Sequence, residues 1–177
     1  MKDPIRILYV DDSPLDRQLV RDALEKEHGG FQVSEAASRA DFEVALVKDD
    51  FDLVLSDFNI LGFEGLQVLD AVHTKDTRIP VVIVTGTGSE EIAVEAMKRG
   101  AADYIIKTPK HIQRLPIAIH AALEKKYLDE ERKQAEERFH AIYENAVEGI
   151  YASTLEGRYL SVNPAAARIY GYDSPRR

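Results

Sequence analysis

Short apolar runs alternate with amphipathic stretches along most of the chain. The apolar runs are rich in Val, Ile and Leu and predict β-strands at residues 5–10, 31–36, 51–56, 80–85 and 103–106. Between them, apolar residues recur at helical spacing, as Leu15, Leu19 and Ala23 do, so we expect a helix to follow each of the earlier strands.

Capping signals mark where several of these helices begin and end. Ser13 and Pro14 suit an N-cap and a first helical residue, and Ser89 precedes a helix over 90–99 that Gly100 ends. Strands this apolar are typical of a parallel sheet that helices cover on both faces. The pattern therefore predicts an α/β fold with a doubly wound, five-stranded parallel sheet of the flavodoxin-like type.

A single long helix is predicted from Ile117 to Glu144. Its charged middle is typical of a solvated connecting helix with pairs such as Asp129 and Lys133. Its apolar residues also repeat every seven positions, which favours a weak parallel coiled coil and a homodimer through the helix. Both interpretations stay open here, and we assign residues 126–140 as a helical linker. The repeat consists of Ala121, Leu128, Ala135 and Ile142.

The tail, residues 141–177, changes character. Gly149–Thr154 and Arg158–Val162 predict two strands, and Asn163 with Pro164 begins a short helix that runs through Tyr170. So short a segment cannot bury a core of its own. We therefore expect the beginning of a small α+β domain whose remainder is missing.

Composition narrows the class of protein. The chain has no cysteine, which excludes thiolate metal sites and thiol catalysis. Its net charge of -8 argues against nucleic-acid binding, which needs a basic face. A mean hydropathy of -0.29 and the lack of a long apolar run argue against a membrane span, and a strand follows the N-terminus without a signal peptide. A cytoplasmic protein is expected.

Polar side chains fall where four of the predicted strands end. Asp11 and Asp12 follow the first strand, Asp57 follows the third, Thr85 ends the fourth and Lys107 follows the fifth. In an open α/β sheet the carboxyl ends of neighbouring strands meet at one crevice, where ligands bind. Each residue alone would more often be a turn, a cap or a solvated side chain. Their coincidence at one sheet edge favours a site.

This set of groups suits phosphoryl transfer. Three clustered carboxylates repel one another and call for a hard cation, and Mg²⁺ prefers such oxygen ligands. A carboxylate such as Asp57 can attack phosphorus and form an aspartyl phosphate. The charge that develops on the phosphoryl oxygens needs countercharge and hydrogen-bond donors, which Lys107 and Thr85 can supply.

With these motifs the first part of the chain, residues 1–125, resembles the receiver domain of two-component response regulators. The resemblance implies that Asp57 is the phosphoacceptor and that Asp12 binds Mg²⁺ directly, with Asp11 acting directly or through water. It further implies that the backbone carbonyl of Asn59 is a metal ligand. The expected phosphodonor is a histidine kinase or a phosphotransfer protein.

The resemblance also implies a switch. Thr85 would be the switch hydroxyl, Lys107 the phosphate-binding lysine and Tyr104 an aromatic residue that moves inward on activation. The chain departs from the family pattern in three places. Leu61 stands where receivers usually have Pro, Thr108 separates Lys107 from Pro109, and the loop Gly86–Gly88 is unusually rich in glycine.

The last residues resemble the opening of a PAS sensory domain. The stretches that carry this resemblance are Glu148–Ile150, Asn163–Ala166 and Ile169–Tyr172. Residues 141–177 are therefore expected to be the N-terminal part of a truncated PAS domain.

The leading hypothesis is a phosphoacceptor that switches conformation and signals through the helical linker to a PAS or output region, with slow self-catalysed dephosphorylation. One alternative is a receiver-like adaptor that is weakly phosphorylated and acts by dimerisation. Another is a phosphatase with Asp57 as nucleophile, but such enzymes usually place an acid two residues later, where this chain has Asn59.

Overall fold

The computed structural model describes residues 4–25, 30–48, 50–86 and 89–172. The chain divides into two compact units, residues 1–127 and 128–177. No helix in the described ranges is long and apolar enough to cross a membrane.

The first unit is built on a parallel sheet in which β-strands and α-helices alternate. Its elements are β1 (Ile5–Val10), α1 (Pro14–Glu25), β2 (Phe31–Ala36), α2 (Arg39–Lys48), β3 (Leu53–Ser56), β4 (Asn59–Ile60), β5 (Phe63–Glu64), α3 (Gly65–Lys75), β6 (Val81–Thr85), α4 (Glu90–Lys98) and β7 (Asp103–Ile106). A 3₁₀ turn, Ile112–Arg114, leads into α5 (Leu115–Asn145), which continues into the second unit. The five-stranded sheet has the order β2-β1-β3-β6-β7 and confirms the predicted fold.

Alternate residues of the central strands point to opposite faces of the sheet, as the two-residue period of a strand requires. On one face Val54 and Ile83 pack with α2, α3 and α4, through residues such as Leu69. On the other face Leu55 and Val82 pack with α1 and the first turns of α5. Both faces are covered, which explains why these strands carry almost no polar residues.

The segment after β3 differs from the prediction. Two glycines, Gly62 and Gly65, indicate a loop in this stretch of the sequence, but β4 and β5 form a short antiparallel hairpin there. Gly62 takes the tight turn with φ +89, and Gly65 is already the first residue of α3. The β3 strand is also shorter than the predicted 51–56, beginning at Leu53.

Helix ends follow the predicted signals where the structure describes them. Ser89 caps α4 through its side chain, and Gly100 follows that helix with φ +95, a conformation that side chains other than glycine rarely adopt. Gly29 comes shortly after α1 in the sequence, and the glycine-rich loop Gly86–Gly88 includes Thr87 and Gly88. These three residues lie outside the described part of the chain.

The second unit contains the end of α5 and three short elements. The strands β8 (Tyr151–Ser153) and β9 (Tyr159–Val162) form an antiparallel pair, and α6 (Pro164–Ile169) follows. Asn163 caps α6 by accepting a hydrogen bond from the Ala166 amide. The predicted order of two strands and a short helix is confirmed, with β8 shorter at both ends, β9 beginning one residue later and α6 ending one residue earlier than predicted.

Candidate functional site

The polar residues predicted to meet are brought together by four neighbouring strands. Asp11 follows β1, Asp57 follows β3, Thr85 ends β6 and Lys107 follows β7. Parallel pairing aligns these ends, so that the Asp57 amide donates to the Val10 carbonyl and the Lys107 amide donates to the Thr85 carbonyl, at 2.8 and 2.7 Å. Asp11, Asp57 and Thr85 are all buried, at 0, 7 and 1% exposure.

Three carboxylates form a compact group at this edge. Oxygen atoms of Asp11, Asp12 and Asp57 all lie within 4.8 Å of one another. Asp12 is the most exposed of the three, so the group opens to solvent on its side. Three anions this close are unfavourable unless a cation shares them, and an all-oxygen donor set suits a hard divalent cation.

The Lys107 ammonium lies among carboxylates from three different elements. Its Nζ atom is 2.5 Å from Asp11 Oδ2, 2.8 Å from Asp16 Oδ2 and 3.3 Å from Asp57 Oδ1. The side chain is only 2% exposed. A buried ammonium needs such partners because its charge is otherwise poorly stabilised away from water.

Burial and charge shift the acidity of these groups. Burial raises the pKa of Asp57 above its ordinary value, and the charge of Asp11 adds to the rise while Lys107 opposes it. For Lys107, burial acts to lower the pKa, but hydrogen bonds to Asp11 and Asp16 outweigh it, so that the pKa lies above its ordinary value. Lys107 therefore stays charged, and a cation beside Asp57 would favour the ionised form of that carboxyl.

Backbone and side-chain hydrogen bonds fix the orientation of the acids. Asp57 Oδ1 accepts from the Phe58 amide at 2.8 Å, and Asp11 Oδ1 accepts from the Ser13 amide at 2.8 Å. The Arg17 guanidinium donates to the Asp11 carbonyl at 2.6 Å. These contacts leave the carboxylates little freedom to turn away from one another.

Three further residues belong to the site and were not predicted. Tyr9 is fully buried and its hydroxyl donates to Asp11 Oδ2 at 2.5 Å; burial, and then the charge of Asp11, raises the pKa of Tyr9 far above its ordinary value. Asp16 binds Lys107. Gly65 lies so close to Asp57 that a Cβ there would be 2.4 Å from the Asp57 carbonyl oxygen. Tyr9 was the one signal in the sequence, since it is a phenol in a strand whose other residues, apart from Arg6, are aliphatic.

Two further predicted site residues lie on the neighbouring elements β4 and β7. Asn59, expected to provide a carbonyl ligand, is the exposed first residue of β4 and pairs with Glu64 in the hairpin. Tyr104, the expected aromatic switch, is half-buried on β7 and lines a cavity of about 390 Å³ with His111 and Arg114. The metal-ligand role of Asn59 and the switch role of Tyr104 stay predictions.

The departures from the family pattern have local structural counterparts. Leu61 is 84% exposed at the tip of the hairpin, where a proline is usual in the family that the sequence resembles. Thr108 hydrogen-bonds through its hydroxyl to His111 Nδ1 at 2.9 Å, and the turn it starts leads to the 3₁₀ segment. Neither change removes a reacting group from the sheet edge.

Two protein-family models match separate parts of the chain. Residues 7–120 match the family described as response regulator receiver domain, and residues 137–177 match the PAS domain family. The chain is 33% identical over 102 residues to the C4-dicarboxylate transport transcriptional regulatory protein DctD of Pseudomonas aeruginosa, covering 58% of this chain and 22% of that protein. It is 37% identical over 120 residues to the nitrogen assimilation regulatory protein NtrX of Azorhizobium caulinodans, covering 67% and 26%. The chain thus spans about a quarter of the length of these relatives.

Solved structures agree with these matches. A response regulator receiver domain protein from Clostridium thermocellum superposes with a TM-score of 0.62 at 30% identity, over 70% of this chain and 98% of that one. NtrX from Brucella abortus superposes with a TM-score of 0.67 at 31% identity, over 85% of this chain and 31% of that one.

Proposed function

The chain belongs to the response regulator receiver family, and from that premise we propose that the Asp57 carboxylate accepts a phosphoryl group in a Mg²⁺-dependent reaction. The observation that supports this most directly is the meeting of Asp57 with two further carboxylates and a buried ammonium at one sheet edge. Phosphotransfer to an aspartate needs these charges, and the ordinary structural roles of the same residues do not explain why they converge.

The acidic group fits Mg²⁺ by its chemistry. It offers only oxygen donors, their spacing of 4.8 Å or less lets one ion reach all three, and the more exposed Asp12 leaves room for water. Asp11, Asp12 and Asp57 would hold the ion, with the Asn59 carbonyl as a further ligand. When bound, Mg²⁺ neutralises the carboxylates and the phosphoryl oxygens, so that the phosphoryl group can approach Asp57.

In the proposed reaction, an Asp57 carboxylate oxygen attacks the phosphorus of a phosphohistidine on a histidine kinase or phosphotransfer protein. The new O–P bond forms as the N–P bond breaks, and the departing imidazole nitrogen takes a proton from water. Lys107 balances charge on the phosphoryl oxygens, and the Thr85 hydroxyl donates a hydrogen bond to one of them. Water later cleaves the acyl phosphate and restores the Asp57 carboxylate and inorganic phosphate.

The phosphoryl group then acts as a switch. It carries about -1.5 to -2 charges in place of the single charge of the Asp57 carboxylate, and its oxygens draw Lys107 and Thr85 toward it. Tyr104 lies on β7, the strand that Lys107 follows, and lines a cavity, so its ring has space to change position. The new conformation is passed through α5 and the linker at 126–140 to the PAS segment at 141–177. The chain is thus a phosphoacceptor in the cytoplasm rather than a turnover enzyme.

Intact-protein mass spectrometry after incubation with acetyl phosphate tests this function. We expect one phosphoryl adduct on the wild type in the presence of Mg²⁺ and none on Asp57→Ala. Asp52→Asn is the matched control, because Asp52 precedes the same strand at its other end and is equally buried, at 6% exposure. That variant should still form the adduct.

Two results would contradict the proposal. A folded wild type that binds Mg²⁺ but takes up no phosphoryl group would favour the alternative of an adaptor that acts by dimerisation. An adduct of equal yield on Asp57→Ala would mean that a residue other than Asp57 is the phosphoacceptor. Sustained turnover of a small phosphate ester would instead favour the phosphatase alternative.

One observation favours self-association as a second function. Leu128, Phe139 and Ile142 are 59, 68 and 68% exposed on α5, although they are large and apolar. Pairing of this stripe between two copies would bury it. Sedimentation equilibrium should show a dimer that Leu128→Glu weakens and that Glu136→Lys, also on α5, leaves unchanged. A monomeric wild type would exclude the helix as a dimer contact.

A further inference from the structure

Asp16 makes a contact that the proposed reaction does not use. It lies in the first turn of α1, and its Oδ2 accepts from Lys107 Nζ at 2.8 Å. The Asp16 side chain is 36% exposed, whereas the Lys107 side chain is 2% exposed. One end of this ion pair is therefore at the solvent and the other is inside the site.

The usual reasons for an acidic residue at this position do not account for the contact. Ser13 already caps α1, since its hydroxyl accepts from the Asp16 amide at 3.3 Å. A carboxylate in the first turn interacts favourably with the helix dipole wherever its side chain points. The direction toward Lys107 is thus an additional feature of Asp16.

We propose that Asp16 is a positioning residue that holds the Lys107 ammonium in the unphosphorylated protein and competes with the phosphoryl group for it. The proposal rests on the proposed function of Asp57. Asp16 would lower the affinity of the site for a phosphoryl group, and it would link the first turn of α1 to the state of the site.

The competition follows from the number of donors on Lys107. An ammonium has three N–H donors, and three carboxylates now surround it, those of Asp11, Asp16 and Asp57. A phosphoryl group on Asp57 replaces the Asp57 contact, and it must share the ammonium with the carboxylates that stay bound to it.

The three partners are not equivalent in this exchange. Asp11 and Asp57 belong to the compact acidic group, so a bound cation takes over much of their charge and weakens their hold on Lys107. Asp16 lies outside that group and keeps its full charge. It is therefore the partner that competes most with a phosphoryl group for the Lys107 ammonium.

Beryllium fluoride, a mimic of the phosphoryl group, tests the proposal by isothermal titration calorimetry in the presence of Mg²⁺. Because the Asp16 contact is partly exposed, we expect Asp16→Asn to bind the mimic about two- to fivefold more tightly than the wild type. Asp16→Glu, which restores the charge, should return the affinity toward the wild-type value. Asp22→Asn is the matched control, since Asp22 is an exposed acid of α1 whose hydrogen-bond partner is Gln18.

A double-mutant cycle shows whether the effect passes through Lys107. In a Lys107→Met background, Asp16→Asn should change the affinity by less than about 1.5-fold. An equal gain in both backgrounds, or a gain as large in Asp22→Asn, would reduce Asp16 to a through-space charge and overturn the proposal.

The remaining outcomes separate this inference from the function on which it rests. An unchanged or weaker affinity in Asp16→Asn, with normal binding by the wild type, overturns the role of Asp16 and leaves the phosphoacceptor intact. A wild type that does not bind the mimic overturns both.

Discussion

The two units of the chain are stabilised in different ways. The first unit buries aliphatic and aromatic side chains on both faces of its sheet. In the second unit, the buried side chains among the described residues are those of Asn163 and the alanines Ala165, Ala166 and Ala167. Large apolar residues such as Tyr151 and Leu160 are instead 53 and 67% exposed there.

In the second unit, the hydrogen bonds of the Asn163 side chain take the place of a hydrophobic core, and we call them the polar hub. The Asn163 side chain accepts from the amides of Ile150 and Ala166, at 2.9 and 2.8 Å, and donates to the carbonyls of Tyr143 and Glu148, at 3.1 and 3.0 Å. These hydrogen bonds connect the end of α5 to the residue before β8 and to the first turn of α6. Hydrophobic burial therefore stabilises the first unit, whereas directional hydrogen bonds hold the elements of the second unit together.

The largest expected effect comes from a core truncation in the first unit. Leu69→Ala removes a fully buried side chain between α3 and the sheet and should lower the free energy of unfolding by about 2–5 kcal/mol. Leu160→Ala, the same change at an exposed position of the second unit, should stay within about 0.5 kcal/mol. Urea unfolding monitored by circular dichroism measures both. Equal decreases in the free energy of unfolding would show that the second unit has a hydrophobic core that contributes as much to stability as that of the first unit.

The next effect tests the polar hub. Asn163→Ala removes four hydrogen bonds and leaves backbone groups that are mostly partly buried without these partners, so we expect a loss of about 2–3 kcal/mol in the free energy of unfolding. Hydrogen exchange at the amides of Ile150 and Ala166, which donate to Asn163, should accelerate while the sheet of the first unit keeps its protection. The matched control is Asn145→Ala, which loses one exposed hydrogen bond to the Ala141 carbonyl. Unchanged exchange at Ile150 would disprove the hub.

A third effect concerns the close approach of Gly65 to Asp57. A methyl group at position 65 would meet the Asp57 carbonyl at 2.4 Å, so Gly65→Ala should lower stability by about 1–3 kcal/mol and slow phosphoryl-adduct formation. At Gly149 of the second unit the nearest atom would be 3.1 Å away, so the same change should be milder there. Gly30→Ala, with nothing within 4 Å, is the control. A Gly65→Ala variant as stable as Gly30→Ala would contradict the close contact.

The fold of the first unit could be predicted because its signals are strong and local. Runs such as Ile5–Val10 and Phe31–Ala36 have the predicted bounds in the structure. The hairpin of β4 and β5 was missed because two-residue strands carry no periodic pattern, and only Gly62 hints at the turn.

The candidate site was predictable only in part. The topology alone aligns the strand ends that bear Asp11, Asp57 and Lys107, so the order of strands and helices along the chain is enough to place them together. Asp16 could not be placed in this way, because a first-turn acid is common on helices and its direction toward Lys107 depends on how α1 packs. The contact of Gly65 with Asp57 likewise requires three-dimensional positions, since a glycine by itself indicates only a turn.

The smallest expected effect is electrostatic and belongs to the first unit alone. Burial raises the pKa of Asp57 above the value of 3.8 that it has when exposed, so its ionised form opposes folding at neutral pH. Asp57→Asn removes that charge and should be more stable than the wild type near pH 7. The gain should shrink as the pH falls through the raised pKa and vanish below the exposed value, where both states of the wild type are protonated.

Urea unfolding at several pH values, with and without Mg²⁺, measures this effect. Near neutral pH, Mg²⁺ should reduce the difference in the free energy of unfolding between Asp57→Asn and the wild type. The ion stabilises the ionised wild type and has one carboxylate fewer to bind in Asp57→Asn. The second unit holds none of the acidic group, so the hydrogen exchange of Ile150 should not respond to either change. A wild type more stable than Asp57→Asn near pH 7 without Mg²⁺ would mean that the ion pair with Lys107 outweighs burial. The ionised Asp57 side chain would then stabilise the first unit instead of destabilising it.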